Sequence, residues 1–159
     1  MVPNKSKRRI VREKVLQLLY AYEMNKDAFK PLSLEIYAEI TDETDREFAK
    51  ELIQKVLANI DDLDKKIASR VTNWEMSRIA LIDKLLLRMG ICEILYFPDI
   101  PPKVSINESI EIAKDYSTAG SGKFINGILD AILAEEKNEG RLKKSGRGLV
   151  DESITPSRQ

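Results

Sequence analysis

Leu81-Ile82-Asp83-Lys84-Leu85-Leu86-Leu87-Arg88-Met89-Gly90-Ile91-Cys92-Glu93-Ile94-Leu95-Tyr96-Phe97 is the stretch that decides the fold. Ile79, Ile82, Leu85, Leu86, Met89 and Leu95 mark a strongly apolar helix that must end before Pro98, and a helix this apolar belongs at the centre of a bundle. Pro98, Pro101 and Pro102 then force an extended connection, because proline and the residue before it resist helix.

Outward from this stretch the punctuation remains helical. No glycine occurs before Gly90 and no proline between Pro31 and Pro98, and strand signals are absent. Ile10, Val11, Val15, Leu18, Leu19 and Tyr22 form one apolar stripe and predict a first helix over about residues 7–25. Leu32, Leu34, Ile36, Tyr37 and Ile40 predict a short helix after Pro31. Thr44 and Glu47 stand at capping-box spacing before a run from Phe48 to Val71, with a break expected at Asn59-Ile60-Asp61-Asp62. Asn73 and Ser77 offer helix starts around Trp74, which is expected in the core. Ser105 with Glu108 reads as a second capping box, and the run from Phe124 to Leu133 as the last helix, fading near Lys137.

The expected architecture is therefore all-α, with six or seven helices. Residues 1–136 form the helical unit and residues 137–159, rich in charge and glycine, read as a disordered basic tail.

Composition narrows the chemistry. The chain has 159 residues, 26 basic and 26 acidic, but residues 1–14 carry a net +5 and residues 137–159 a net +3, leaving −8 between them. Both ends attract polyanions. With no histidine, a Ser-His-Asp or Cys-His catalytic group and a His-containing metal site are excluded. A lone Cys92 suits a reducing cytoplasm, and no apolar run approaches 18 residues, so a soluble intracellular protein without membrane contact is expected. No catalytic residue, metal site or cofactor loop is identified.

The Lys7-Arg8-Arg9-x-x-Arg12 cluster opens the first helix. A cation run is ordinarily a solvated helix end, but cations sit badly at a helix N-terminus, where the macrodipole is positive, so a polyanionic ligand is the sharper reading. Tyr20 on the same helix and Phe124 after Lys123 are stacking candidates, with core packing as the alternative for each. Gly120-Ser121-Gly122-Lys123-Phe124 is not a phosphate-binding P-loop, since Ser117 stands at the first glycine position and Phe124 at the Ser/Thr position. Asp83 reads either as a surface partner of Lys84 or Arg88, or as an acceptor for a base edge.

Together these blocks resemble the NusB family of bacterial antitermination factors. The likeness rests on Arg8-Arg9 and Arg12 running into Leu16-Gln17-Leu18-Leu19-Tyr20, on Trp74-x-x-x-Arg78 with Asp83 and Leu87-Arg88, and on Glu93-Ile94-Leu95. Its most specific parts are Ile100-Pro101-x-x-Val104-Ser105-Ile106-Asn107-Glu108 with Glu111-Ile112-Ala113-Lys114, and Lys123-Phe124-Ile125-Asn126-Gly127-Ile128-Leu129-Asp130. The resemblance spans about residues 7–135. It implies two small packed helical bundles and a role in processive transcription of ribosomal RNA. The implied partners are the single-stranded boxA element, a NusE-type small-subunit ribosomal protein and the RNA polymerase antitermination complex. The implied RNA-binding residues are Lys7, Arg8, Arg9, Arg12, Tyr20, Asp83, Arg88, Lys123 and Phe124. Two departures stand out: Gly120 occupies a place where some relatives carry an acidic residue, and Ile10 interrupts the arginine cluster.

Two rival readings remain: a helical protein–protein adaptor with an incidental basic arm, and a stand-alone RNA-binding domain related to the N-terminal part of rRNA cytosine methyltransferases. No Gly-rich cofactor loop follows a strand in this chain, which disfavours the methyltransferase itself. A homodimer is left open, because an apolar helix face packs inward or against a twin equally well.

Overall fold

Every residue from Leu85 to Ile94 is buried, so the helix that carries them is enclosed on all sides rather than amphipathic. In the computed structural model, which describes residues 5–150, this helix is α6 (Leu81–Tyr96). Around it stand α1 (Lys7–Met24), α2 (Lys26–Glu39), α3 (Glu43–Ala58), α4 (Ile60–Ala68), α5 (Asn73–Arg78), α7 (Pro102–Tyr116) and α8 (Ser121–Asn138), followed by a 3-10 turn, Gly146–Leu149. Among the described residues there is no strand, and the helices number eight rather than the expected six or seven.

Two helical groups share α6. On one side α1 packs against α2 and α3; on the other α7 packs against α8; α6 touches α1, α3, α4, α7 and α8. Close approach of α8 depends on Gly90, where a Cβ would lie 2.9 Å from Leu129 Cδ1 and 3.0 Å from Ser109 Oγ. A methyl group there would force the two helices apart.

Several local expectations change. The helix after Pro31 begins earlier, at Lys26, with the Asn25 side chain accepting from the Asp27 N–H; Pro31 lies inside the helix at an exposed position. The break at Asn59 falls where expected, with Asn59 Nδ2 donating to the Lys55 carbonyl at 2.7 Å. The Thr44 box is replaced by Asp42, which accepts from the Asp45 N–H. Pro102 occupies the first helical position of α7, so that helix starts three residues before Ser105, leaving Ser105 and Glu108 for tertiary contacts. The capping box that does form is Thr72 with Glu75, opening α5. Trp74, expected in the core, is 67% exposed, because six-residue α5 packs chiefly on α4.

The tail also departs from expectation over its described part. Past Asn138 the chain folds back across the end of α6: Ser145 N–H donates to the Pro98 carbonyl at 2.9 Å, and Gly148 sits so close that a Cβ would lie 1.9 Å from that oxygen. Arg141 pairs with buried Glu136 at 2.9 Å. The expected disorder of residues 151–159 lies outside the described residues.

Lys144 caps the end of α6, donating from Nζ to the Glu93 carbonyl at 3.1 Å and the Phe97 carbonyl at 2.7 Å. Burial pushes its ammonium down to about 8, against the opposing charges of Glu93 and Asp99. The folded value lies below the unfolded one, so the unfolded chain holds this proton longer, and stability from this group rises with pH from about 8 to about 10.4. Urea unfolding of the wild type and Lys144→Met is expected to show a stability difference that shifts in favour of the wild type between pH 7 and pH 9.5; an unchanged difference refutes it.

Candidate nucleic-acid interface

The first helix begins where Ser6 Oγ accepts from the Arg9 N–H at 3.1 Å. From that cap the basic cluster fans over three neighbouring helices. Arg8 turns to α3, where Nε lies 3.1 Å from Asp45 Oδ1 and the guanidinium stacks 4.4 Å from the Phe48 ring centroid. Arg9 turns to α7 and grips Glu108 through Nε and Nη2 at 2.9 and 2.8 Å. Lys7 is exposed, with Asp42 3.7 Å away. Lys5, just before the helix, joins Glu13 at 2.7 Å to Asp115 at 3.2 Å.

Arg12 is different in kind. It is 3% exposed and forms a two-toothed pair with Glu93 on α6, both bonds 2.8 Å, while Ser105 Oγ donates to the same carboxylate at 2.7 Å. Burial works against its charge, but Glu93 outweighs burial and holds the guanidinium more firmly protonated than usual. For Arg9 the hydrogen bonds to Glu108 act first and in the same direction.

Asp83 and Arg88 are also buried in satisfied networks rather than exposed on α6. Asp83 accepts from Ser117 at 2.7 Å and from Ser121 at 2.8 Å, so it partners neither Lys84 nor Arg88. These bonds hold the turn between α7 and α8, and Lys123, two residues beyond Ser121, stands exposed in the first turn of α8. Arg88 faces another way, held by Asp64 at 2.8 and 2.9 Å and by Glu23 at 3.4 Å. Phe124 is half-buried against the core, and Tyr20 is 40% exposed.

The structure thus gathers Lys7, Arg8 and Arg9 on one exposed helix end, puts Tyr20 further along the same helix, and sets Lys123 in the first turn of α8, next to the junction that Asp83 braces. Arg12, Asp83 and Arg88 lie beneath the surface as scaffolding, and Arg88 belongs to a different side of α6. Sequence reasoning missed Glu93, Glu108 and Asp45 as the cluster's partners. One signal was available for Glu93: a carboxylate inside a continuously apolar helix must find a cation. Cys92 is buried and its thiol is pushed strongly up by desolvation, so it stays protonated. Among the described residues no acidic or cysteine cluster could hold a metal.

Removing Arg12 alone would strand the Glu93 charge in the core, at a cost of about 3–5 kcal/mol. Arg12→Ala is expected to lower the urea midpoint steeply, and Arg12→Met with Glu93→Gln to recover most of the loss; a double variant no more stable than the single one refutes the pairing.

Comparison with known proteins converges on one family. The NusB family profile matches residues 9–134. The chain is 51% identical over 146 residues to the transcription antitermination protein NusB of Chloroherpeton thalassium, covering 91% of this chain and 69% of that one. It is 46% identical over 147 residues to the protein of the same name from Salinibacter ruber, covering 91% and 92%. The solved structure of T. maritima NusB superposes with a TM-score of 0.69 at 38% identity, covering 86% of this chain and 99% of that one. A structure of NusB and NusE in complex with dsRNA matches in fold at TM-score 0.70 and 23% identity, over 80% of this chain and 96% of that one. With the family profile spanning residues 9–134 and two relatives 46–51% identical over 91% of this chain, the chain belongs to the NusB family.

Proposed function

We propose that the chain is a transcription antitermination factor that binds the boxA element of nascent ribosomal RNA with a NusE-type ribosomal protein, as part of the antitermination complex on cytoplasmic RNA polymerase. The observation that carries this reading is the row Lys7, Arg8, Arg9 at the start of α1, placed where the helix dipole disfavours cations. A polyanion relieves that penalty. The carboxylates of Asp45 and Glu108 hold the two guanidinium groups in fixed orientation, and Arg9 keeps Nη1 uncommitted for a phosphate. Lys123 extends the cationic surface, and Tyr20 supplies an exposed ring further along α1; Phe124 is only partly buried. Arg12 and Asp83 act through these groups, Arg12 by seating α1 and Asp83 by bracing the Lys123 turn.

The relatives support the reading: two are named transcription antitermination proteins, and a fold neighbour was solved with NusE and RNA. Its test is fluorescence anisotropy of a labelled boxA-like strand against a scrambled one, across salt, with and without the NusE-type protein. Four cations on phosphates predict a log–log salt slope of about −2.8 for a single strand, or roughly 50-fold weaker binding for fourfold more salt. Arg9→Ala is expected to reduce the slope to about −2.1 and weaken binding. Equal, weak binding to both strands under every condition overturns the antitermination reading.

One observation gives a protein-binding role its own support. Trp74 is 67% exposed with the Arg78 guanidinium 4.6 Å from its ring, and tryptophan and arginine are both enriched at the energetic centres of protein interfaces. We assign the NusE-type partner to this side of α5. Trp74→Ala is expected to weaken partner binding by about 30-fold and leave RNA binding by the protein alone unchanged; a variant that binds the partner as wild type does refutes the assignment.

A further inference from the structure

Past α8 the chain is fastened at several points. Gly140, at φ +69°, turns it back, and the Arg141 and Leu142 N–H groups both donate to the Glu136 carbonyl, at 2.9 and 3.3 Å. Lys144 and the Ser145 N–H then tie it to the end of α6, and Gly148 packs on the Pro98 carbonyl with no room for a side chain. This anchored segment nevertheless ends on two aliphatic side chains left largely in water: Leu149 is 68% exposed and Val150 52%. They line a pocket of about 270 Å³ whose other walls include Pro102, Leu133 and Leu142. Apolar side chains held in place at the edge of an apolar pocket are the signature of a surface that another molecule covers.

The charge around the pocket says what that molecule carries. From Lys137 to Val150 the chain has five cations against one carboxylate, Glu139. Two of the five are spent within the fold, Arg141 on Glu136 and Lys144 on two carbonyls of α6 and its end. Lys137, Lys143 and Arg147 are exposed and make no hydrogen bond or ion pair among the described residues. Lys5, Arg8 and Arg9, by contrast, each face a carboxylate within 3.2 Å. Uncompensated positive charge is thus gathered here, and it draws in an anionic partner.

The walls decide what kind of anion. Single-stranded nucleic acid is gripped by stacking its bases on aromatic rings, and no ring lines this pocket. Aliphatic walls with cations around them suit a protein segment instead, one apolar side chain going in and the carboxylates beside it meeting the cations.

We propose that the segment after α8, together with the start of α7, is a docking surface for an acidic peptide of a partner protein. One leucine-sized side chain enters the pocket between Pro102, Leu133 and Leu149, and flanking carboxylates meet Lys137, Lys143 and Arg147. The surface shares no residue with the Lys7–Arg9 face or with Trp74, so it stands apart from the RNA-binding reading.

The test is fluorescence anisotropy of a labelled twelve-residue peptide, a single leucine flanked by aspartates and glutamates, titrated with the full chain. The comparison ligands are the same peptide with lysines for its acidic residues, the same peptide with serine for its leucine, and ten-nucleotide oligo(U). The wild type is expected to bind the acidic leucine peptide about 10-fold tighter than either altered peptide. Lys143→Glu and Arg147→Glu should each weaken it roughly 5-fold, less at high salt. Leu149→Ser should weaken it by about 10-fold at every salt concentration. All three side chains are exposed, and each variant is checked for an unchanged helical circular-dichroism spectrum. Equal affinity for the three peptides, or wild-type affinity in Leu149→Ser, overturns the proposal. It is also overturned if the acidic peptide stays unbound while oligo(U) binding falls in Lys143→Glu and Arg147→Glu, which gives the surface to RNA. Sedimentation showing a dimer that Leu149→Ser dissociates gives it to a second copy of the chain. Peptide binding that appears only in the Asp151→Ala, Glu152→Ala double variant gives the pocket to the chain's own next residues, and the partner falls with it.

Discussion

Glu93 carries a charge in the middle of the most buried helix, and much of the molecule is arranged around satisfying it. Its carboxylate takes both teeth of the Arg12 fork and the Ser105 hydroxyl, and its backbone carbonyl takes the Lys144 ammonium. One residue of α6 thereby ties α1, α7 and the C-terminal segment to a single point. A buried ion pair contributes little net stability beside an apolar contact of the same volume, but its partners must meet in one geometry or leave a charge stranded. Such a constraint sets the register of α1 along α6. With Arg12 seated, Arg8 and Arg9 one turn earlier reach Asp45 of α3 and Glu108 of α7 without further choice.

That register has an electrostatic consequence for the cationic face. The cluster reads as strongly positive in the sequence, yet in the fold Lys5, Arg8 and Arg9 each face a carboxylate within 3.2 Å. At long range the patch is far closer to neutral than its residue count, which weakens non-selective attraction to polyanions. At contact range the carboxylates fix each guanidinium plane, so a phosphate meets donors already oriented. The combination favours a ligand that fits over one that is merely negative, and leaves discrimination to aromatic and polar groups on the same helix.

What could be read in the sequence follows the same physics. The helical class was legible because glycine and proline are missing from long stretches, and the Asn59 break because polar residues interrupt an apolar run. Helix starts were less legible. Ser105 and Glu108 have capping-box spacing, but Pro102 begins the helix earlier and both side chains serve distant partners. A spacing rule sees only local bonds, and cannot weigh them against an arginine 99 residues away in the chain. Trp74 illustrates the opposite error, since a large aromatic is ordinarily buried, but a six-residue helix between two turns has little surface to bury it against. The segment after Asn138 looked unable to fold for want of apolar residues; it packs through one leucine, Leu142, together with backbone groups, Gly148, Lys144 and the Arg141 pair with Glu136, most of which hydropathy does not record.

Asp83 and Arg88 show how far the reading of α6 could have gone. They stand five residues apart, and at about 100° per residue their side chains point roughly 140° away from each other. They could never have paired, and an enclosed helix obliges each to find a partner on a different neighbour. Asp83 finds two serine hydroxyls at the α7–α8 turn, and Arg88 finds Asp64 of α4 with Glu23 of α1. The charges on an otherwise apolar helix therefore act as addresses: each states the kind of group that must lie opposite, and its angular position states on which side. Applied to Asp83, Arg88 and Glu93 together, that logic asks for hydroxyl donors at the α7–α8 junction, carboxylates from α4 and α1, and a cation from α1, which are the groups the fold sets around α6.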